Sequence, residues 1–200
     1  MKCAPMLVEP TLLEGRHIRL EPLSLAHLDR LWEVASDQEL WRWMPAQVHT
    51  AEALRIYIEE ALTGQTQGTT LPFATVERAG GRVIGSTRYG NMDRAHRRVE
   101  IGWTWLGREW QRTAANTEAK YLMLHHAFET LGCVRVELKT DALNDRSRKA
   151  ILRLGAREEG TFRHHMITSS GRVRDTVYYS ILEGEWPEVK RELNAKLAHR

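Results

Sequence analysis

Hydrophobic and polar positions alternate in two rhythms along this chain. Residues 12–23, LLEGRHIRLEPL, change with period two and predict a first strand. After Ser24, Leu25, Leu28, Leu31, Trp32 and Ala35 recur at helical spacing. The aromatic stretch DQELWRWMPAQVH is irregular, and Thr50 then introduces a helix that stops at Gly64. Residues 71–78 and 82–92 read as strands joined by the hairpin signal Ala79-Gly80-Gly81, and residues 97–106 as a third.

A helix starting near Asn116 or Thr117 follows, apolar on most sides and therefore expected to be buried against a sheet. It runs to about Leu131, with Gly132 at its C′ position. Residues 133–140 alternate as a strand, and a short helix is expected from Ser147 to Gly155. Residues 156–167 and 174–186 close the sheet across the SSGR turn, and WPEVKRELNAKL forms a terminal helix. The predicted order is β-α-α-β-β-β-α-β-α-β-β-α. It describes an α/β fold with one mixed central sheet flanked by helices. One domain is expected over residues 1–200, with 1–10 and 186–200 peripheral.

Composition narrows the classes. The 200 residues are 42% hydrophobic and 28% charged, an ordinary globular balance. No apolar run is long enough to span a membrane, and MKCAPMLVEP lacks the apolar core of a signal peptide, so a cytoplasmic protein is expected. A net charge of +3 is too weak to argue for nucleic acid. Cys3 and Cys133 have neither disulfide-framework nor metal spacing, and Cys133 at the head of an apolar strand reads as a buried thiol.

Two junctions carry candidate chemistry. In the first, a strand ends at Leu106-Gly107-Arg108 and a helix begins after WQRTAANTEAK. Unpaired N–H groups at a helix N-terminus suit a pyrophosphate, and Arg108 and Arg112 add charge. Ordinary capping by Asn116 or Thr117 is the alternative reading. In the second junction, DALNDRSRKA, Asn144 and Ser147 lie three apart at a helix start, where a turn and a cap account for them equally well. Two neighbouring strands that each feed a helix N-terminus would open two polar mouths on one side of the sheet.

The stretch VEIGWTWLGREWQRTAANTEAK, then ELKTDALNDRSRKAILRLGAREEGTFR and GRVRDTVYYSIL, resembles the GNAT superfamily of acyl-CoA-dependent N-acetyltransferases. It is most similar to the branch of the RimJ/RimL enzymes, which acetylate ribosomal-protein N-termini, and the likeness covers roughly residues 11–185. The resemblance implies acetyl-CoA between the strands near 101–106 and 134–140. It implies backbone contacts from Trp103, Thr104 and Trp105 to the pantetheine arm and thioester. It further implies pyrophosphate binding by Gln111, Arg112, Thr113, Ala114, Ala115, Asn116 and Thr117, with Asn144 on the pantetheine and Ser147 near the sulfur. The family loop carries two glycines where this chain has Ala114 and Asn116. Alanine keeps such a loop competent only where φ stays negative.

The expected reaction is direct attack of a primary amine on the thioester, with Glu100 as candidate base. Glu158, His164 and His165 are runners-up, and the adjacent histidines should face opposite sides of a strand. The same alternation lets only one of Tyr178 and Tyr179 face the cleft. Trp41, Trp43 and Met44 are candidates for the acceptor pocket, core packing being the alternative for at least one tryptophan. His125 and His126 lack a ligand set, so no metal is expected. A protein or peptide N-terminus is preferred over a small amine such as a polyamine, amino acid or aminoglycoside, and a non-catalytic acyl-CoA-binding domain is the rival reading. A homodimer through the late strands or the terminal helix is a further expectation.

Overall fold

The computed structural model describes Met6 and residues 8–198. Cys3 lies outside the described residues. Among the described residues, eight strands form one mixed sheet in the order β1-β2-β3-β4-β5-β6-β8-β7. They are β1 (Leu13–Glu14), β2 (Ile18–Pro22), β3 (Leu71–Glu77), β4 (Val83–Asp93), β5 (Arg98–Leu106), β6 (Arg135–Asp141), β7 (Arg157–Ile167) and β8 (Val173–Leu182). All neighbours pair antiparallel except β5 and β6, which run parallel. The helices are α1 (Leu28–Ala35), α2 (Ala51–Thr66), α3 (Ala114–His125), α4 (Asp145–Arg153) and α5 (Trp186–Ala198).

Apolar side chains fill both faces of the central strands. One core holds Leu71, Phe73 and Tyr89 of the sheet with Met123 and Leu124 of α3. The other packs Ala74 and Val76 beneath Leu31 of α1 and Leu54 and Ile58 of α2. Burial on both sides explains why β3 reads as a nearly continuous apolar run. Cys133 is buried in the first core, and burial pushes its thiol up to about 11.

Several boundaries depart from the sequence reading. The first expected strand is two short ones, because the chain turns at residues 15–17 to let β1 pair with β2. The carboxylate of Glu118 holds that turn, accepting from the backbone N–H of Arg16 (2.8 Å), His17 (2.7 Å) and Ile18 (2.8 Å). α3 begins at Ala114, earlier than expected, and its last segment His126–Thr130 widens into a π turn before Gly132 at φ +64°. α5, expected to be peripheral, buries Trp186, Val189 and Leu193 in the first core.

Candidate active site

β5 and β6 are hydrogen-bonded neighbours over only three positions, Arg98 with Arg135, Val99 with Val136 and Glu100 with Glu137. Beyond Glu100 they part. A bulge drives the separation: between Ser86 and Arg88 of β4, the partner strand β5 spends an extra residue on its way from Trp105 to Gly102. Trp103 adopts φ +49° there, a conformation uncommon for a bulky residue. Its ring lies over Gly90, where any Cβ would come within 2.3 Å of it. The wedge between the two strands is a cleft of about 590 Å³.

Thr113, not Asn116 or Thr117, caps α3: its Oγ1 accepts from the N–H of Ala115 at 3.2 Å. Ala114 and Asn116 therefore sit in the first helical turn, and the left-handed residue of the loop is Arg112 at φ +63°. The sites where the resembled family has glycine need no positive φ here. Gln111, Arg112, Thr113 and Asn116 line the cleft, whereas Ala114 and Ala115 are buried beneath it. Thr117 is buried too, and its Oγ1 accepts from Arg153 at 3.2 Å. None of these three lines the cleft.

The second mouth also starts earlier than expected. Asn144 caps α4, its Oδ1 accepting from the N–H of Ser147 at 3.1 Å, so Ser147 is a first-turn residue and not the cap. Both line the cleft. Arg146 reaches across to Gln111 Oε1 (2.8 Å), while Gln111 Nε2 donates to the carbonyl of Leu106 (2.8 Å). The two helix N-termini are thereby tied together. Arg108 faces elsewhere, paired with Asp37, and its guanidinium holds that carboxyl below the usual range. The cleft's cationic lining is Lys120, Lys139 and Arg174 together with Arg112 and, on α4, Arg146, Lys149 and Arg153. The i, i+3, i+7 spacing of the three on α4 was the sequence signal for one basic helix face.

At the apex, Glu100 is 3% exposed. Its Oε2 accepts from Asn91 Nδ2 at 2.6 Å and pairs with Lys139 Nζ at 2.9 Å. Glu100 borders both the cleft and a polar groove of about 1140 Å³ that includes Asn91, Glu137 and Tyr178.

Of the acceptor candidates, Trp43 and Met44 line the cleft. Trp41 does not. It is fully buried, packs on Tyr57 and Trp105 at centroid distances of 5.4 and 5.3 Å, and donates Nε1–H to the carbonyl of Ala35. It is core, and it backs the strand that forms the cleft wall. Arg172, paired with the buried Asp141, places its guanidinium 5.7 Å from the Trp43 ring and so links the β7–β8 turn to the α1–α2 loop.

None of the runners-up lines the cleft or the polar groove. Glu158 pairs with Arg148 at 3.5 Å. His164 is exposed at φ +51°, inside a register shift of β7 that breaks the expected alternation. His165 packs against Tyr178 and Phe162. Tyr178 borders the polar groove and Tyr179 is buried. Burial lowers the pKa of His126, and among the described residues no His/Cys/Asp/Glu group could hold a metal ion.

The acetyltransferase (GNAT) domain family matches residues 17–157. The chain belongs to the GNAT family. A crystal structure of a GCN5-related N-acetyltransferase from Brucella melitensis is 33% identical, with a TM-score of 0.90 over 98% of this chain and 90% of that one. The putative ribosomal N-acetyltransferase YdaF of Bacillus subtilis (strain 168) is 34% identical over 106 residues, 53% of this chain and 57% of YdaF. This chain thus aligns with little more than half of that relative's length. RimJ of Mycobacterium smegmatis, solved with CoA-disulfide, shares the fold at 22% identity and a TM-score of 0.81 over 94% of this chain and 95% of that one. The name of YdaF agrees with a RimJ/RimL-like branch, while the RimJ structure shows the fold alone.

Within this GNAT cleft stands one group that the sequence reading missed. Lys120 of α3 is 5% exposed, and its Nζ donates to Thr104 Oγ1 (2.5 Å) and Thr87 Oγ1 (3.2 Å). Burial brings its pKa down to about 7. Its sequence signal was a lysine three, four and seven positions before the buried Met123, Leu124 and Ala127.

Among the described residues no helix is long and apolar enough to cross a membrane.

Proposed function

We propose that this chain transfers an acetyl group from acetyl-CoA to a primary amine by direct attack in a ternary complex. The observation that carries this reading is the parting of β5 and β6 at Glu100, with two helix N-termini at one end of the wedge and a carboxylate at its apex. The pyrophosphate belongs at the α3 N-terminus, where unpaired N–H groups and the basic face of α4 meet it. Asn144, whose Oδ1 is occupied by its cap, has its amide N–H₂ to offer the pantetheine. The bulged backbone at Trp103, Thr104 and Trp105 supplies N–H donors for the thioester oxygen as it gains charge.

The attacking amine must first lose a proton. For an α-amine of pKa about 7.7–8.0 this costs about 1 kcal/mol at pH 7, and for a lysine amine near 10.4 about 4.6. Glu100 is the base, directly or through water, and Lys139 balances its charge before the proton arrives. The amine lone pair attacks the carbonyl carbon, the C–S bond breaks, and the thiolate leaves beside Ser147, which can hydrogen-bond it. The modest demand on Glu100 favours an α-amine at a protein or peptide N-terminus, and the name of YdaF supports the same class. Trp43 and Met44 would border that acceptor.

Acetyl-CoA should raise the melting temperature, and a panel of N-terminal peptides, polyamines, amino acids and aminoglycosides should show thiol release for the peptides first. Binding without release across the whole panel would replace the enzyme with an acyl-CoA-binding domain.

A further inference from the structure

Lys120 is a primary amine inside the acyl-donor cleft, and the reaction described above makes no use of it. Two threonine hydroxyls surround its nitrogen. Thr87 Oγ1 and Thr104 Oγ1 are 2.7 Å apart, and Thr104 Oγ1 lies 3.3 Å from the carbonyl oxygen of Gly102. More than one arrangement of protons fits, since Thr87 Oγ1 also lies 3.4 Å from the Gly102 carbonyl oxygen. In one of them Thr87 donates to Thr104, Thr104 donates to the Gly102 carbonyl, and each hydroxyl oxygen accepts one N–H of Lys120. A neutral amine has two N–H groups and one lone pair. Both N–H groups are then spent on the threonines, and the lone pair is not.

Among the described residues, Lys120 has no carboxylate ion-pair partner. Burial alone moves the pKa of Lys120, with no charged neighbour contributing. Near neutral pH a substantial fraction of this residue is therefore the free amine, the same nucleophile class as the external acceptor. It sits against Thr104, in the strand whose bulged backbone faces the donor cleft.

We propose that Lys120 is an internal acetyl acceptor: acetyl-CoA seated in the cleft acylates Lys120 Nζ when no external amine intercepts the group. The nitrogen lone pair adds to the thioester carbonyl, the C–S bond breaks, and the proton lost from nitrogen goes to the departing thiolate. The products are Nε-acetyl-Lys120 and free CoA. The amide has no basic lone pair and is bulkier than the amine, so the modified cleft no longer seats an acetyl thioester as before. Idle enzyme charged with donor would thereby switch itself off. This rests on the reading of the cleft as an acetyl-CoA site.

The test uses the whole chain, folded, with acetyl-CoA and no amine. Intact mass and peptide mapping follow acetylation, and thermal unfolding follows donor binding in the same samples. The expected result is a single acetyl group on Lys120, formed at a rate that saturates with acetyl-CoA and is suppressed by excess CoA. Lys190 and Lys196, which do not line the cleft, should react at least roughly tenfold more slowly, because proximity acts only within it. In urea-unfolded chain the preference for Lys120 should vanish. A melting shift with acetyl-CoA but an unmodified Lys120 overturns the inference and leaves the donor site standing. Equal labelling of all lysines, folded and unfolded, overturns it as well. Absence of any melting shift overturns both.

Discussion

Glu100 Oε2 lies 2.9 Å from Lys139 Nζ across the last point at which β5 and β6 are still paired. The pair holds the two strands together where they begin to part, and on the proposed reading its carboxylate would face the incoming amine. A base and a strut make different predictions. If Glu100 accepts the proton, Glu100→Gln lowers kcat by roughly 10²–10⁴ and leaves the KM for acetyl-CoA nearly unchanged. Lys139→Met removes the strut while sparing the carboxylate and should cost far less in kcat. Steady-state kinetics on both variants decides. Equal losses would make the pair a positioning element and send the search for the base elsewhere.

The missing glycines have a structural answer that yields a second prediction. Ala114 and Asn116 lie within α3, while the left-handed position is Arg112. Restoring the family residue with Ala114→Gly should not tighten acetyl-CoA binding. It should cost up to about 1 kcal/mol, the helix penalty of glycine relative to alanine, damped by its place in the first turn. Calorimetric titration and urea unfolding measure the two effects. A large gain in affinity would mean that the bound loop needs a conformation the helix start denies it.

Glu118 is a clamp. Its carboxylate accepts three backbone N–H groups from the turn between β1 and β2, a segment about 100 residues away in sequence. Glu118→Ala would leave those donors without their partner and should cost about 3–5 kcal/mol, visible as a fall of roughly 10 °C in melting temperature. Acetyl-CoA binding by the folded fraction should persist. Complete loss of binding in a sample that melts normally would instead place Glu118 in the donor site.

This clamp marks the boundary of what the sequence could reveal. Periodicity located the main strands and helices because burial on one face or two imposes that pattern locally. The split of the first strand was invisible, because its cause is a carboxylate on α3. The bulge at His164 was hidden in the same way, since it depends on the register of β7 against β8. Residues of the two mouths were legible from helix-start chemistry, though each helix starts earlier than its first polar cap suggested. Arg108 was misplaced because its partner Asp37 is distant in sequence, whereas the basic face of α4 was present in the spacing and went unread.

Trp41 and Trp43 are two residues apart and should behave differently. Trp41→Ala empties a core site beneath Trp105 and should cost about 3–5 kcal/mol. Trp43→Ala should spare stability and raise the KM for the amine while leaving that for acetyl-CoA unchanged. Melting curves and two-substrate kinetics separate the cases. An unchanged amine KM would remove Trp43 from the acceptor pocket.

Lys120 makes stability depend on pH in a direction that can be worked out. In the unfolded chain a lysine stays protonated up to about pH 10.4. In the fold its pKa is about 7. Between these values the unfolded chain binds a proton that the folded chain refuses, so stability rises with pH from about 7 to 10. Below pH 7 both states are protonated and the penalty is fully present, on the order of 3–5 kcal/mol. Lys120→Met has no such slope. Its advantage over the unsubstituted chain should be largest at pH 7 and below and should shrink toward pH 10, other groups cancelling in the difference. Urea midpoints for both proteins from pH 6 to 10 provide the test. Parallel curves would mean that Lys120 keeps its proton in the folded state, and the threonine pair would then be holding an ammonium ion.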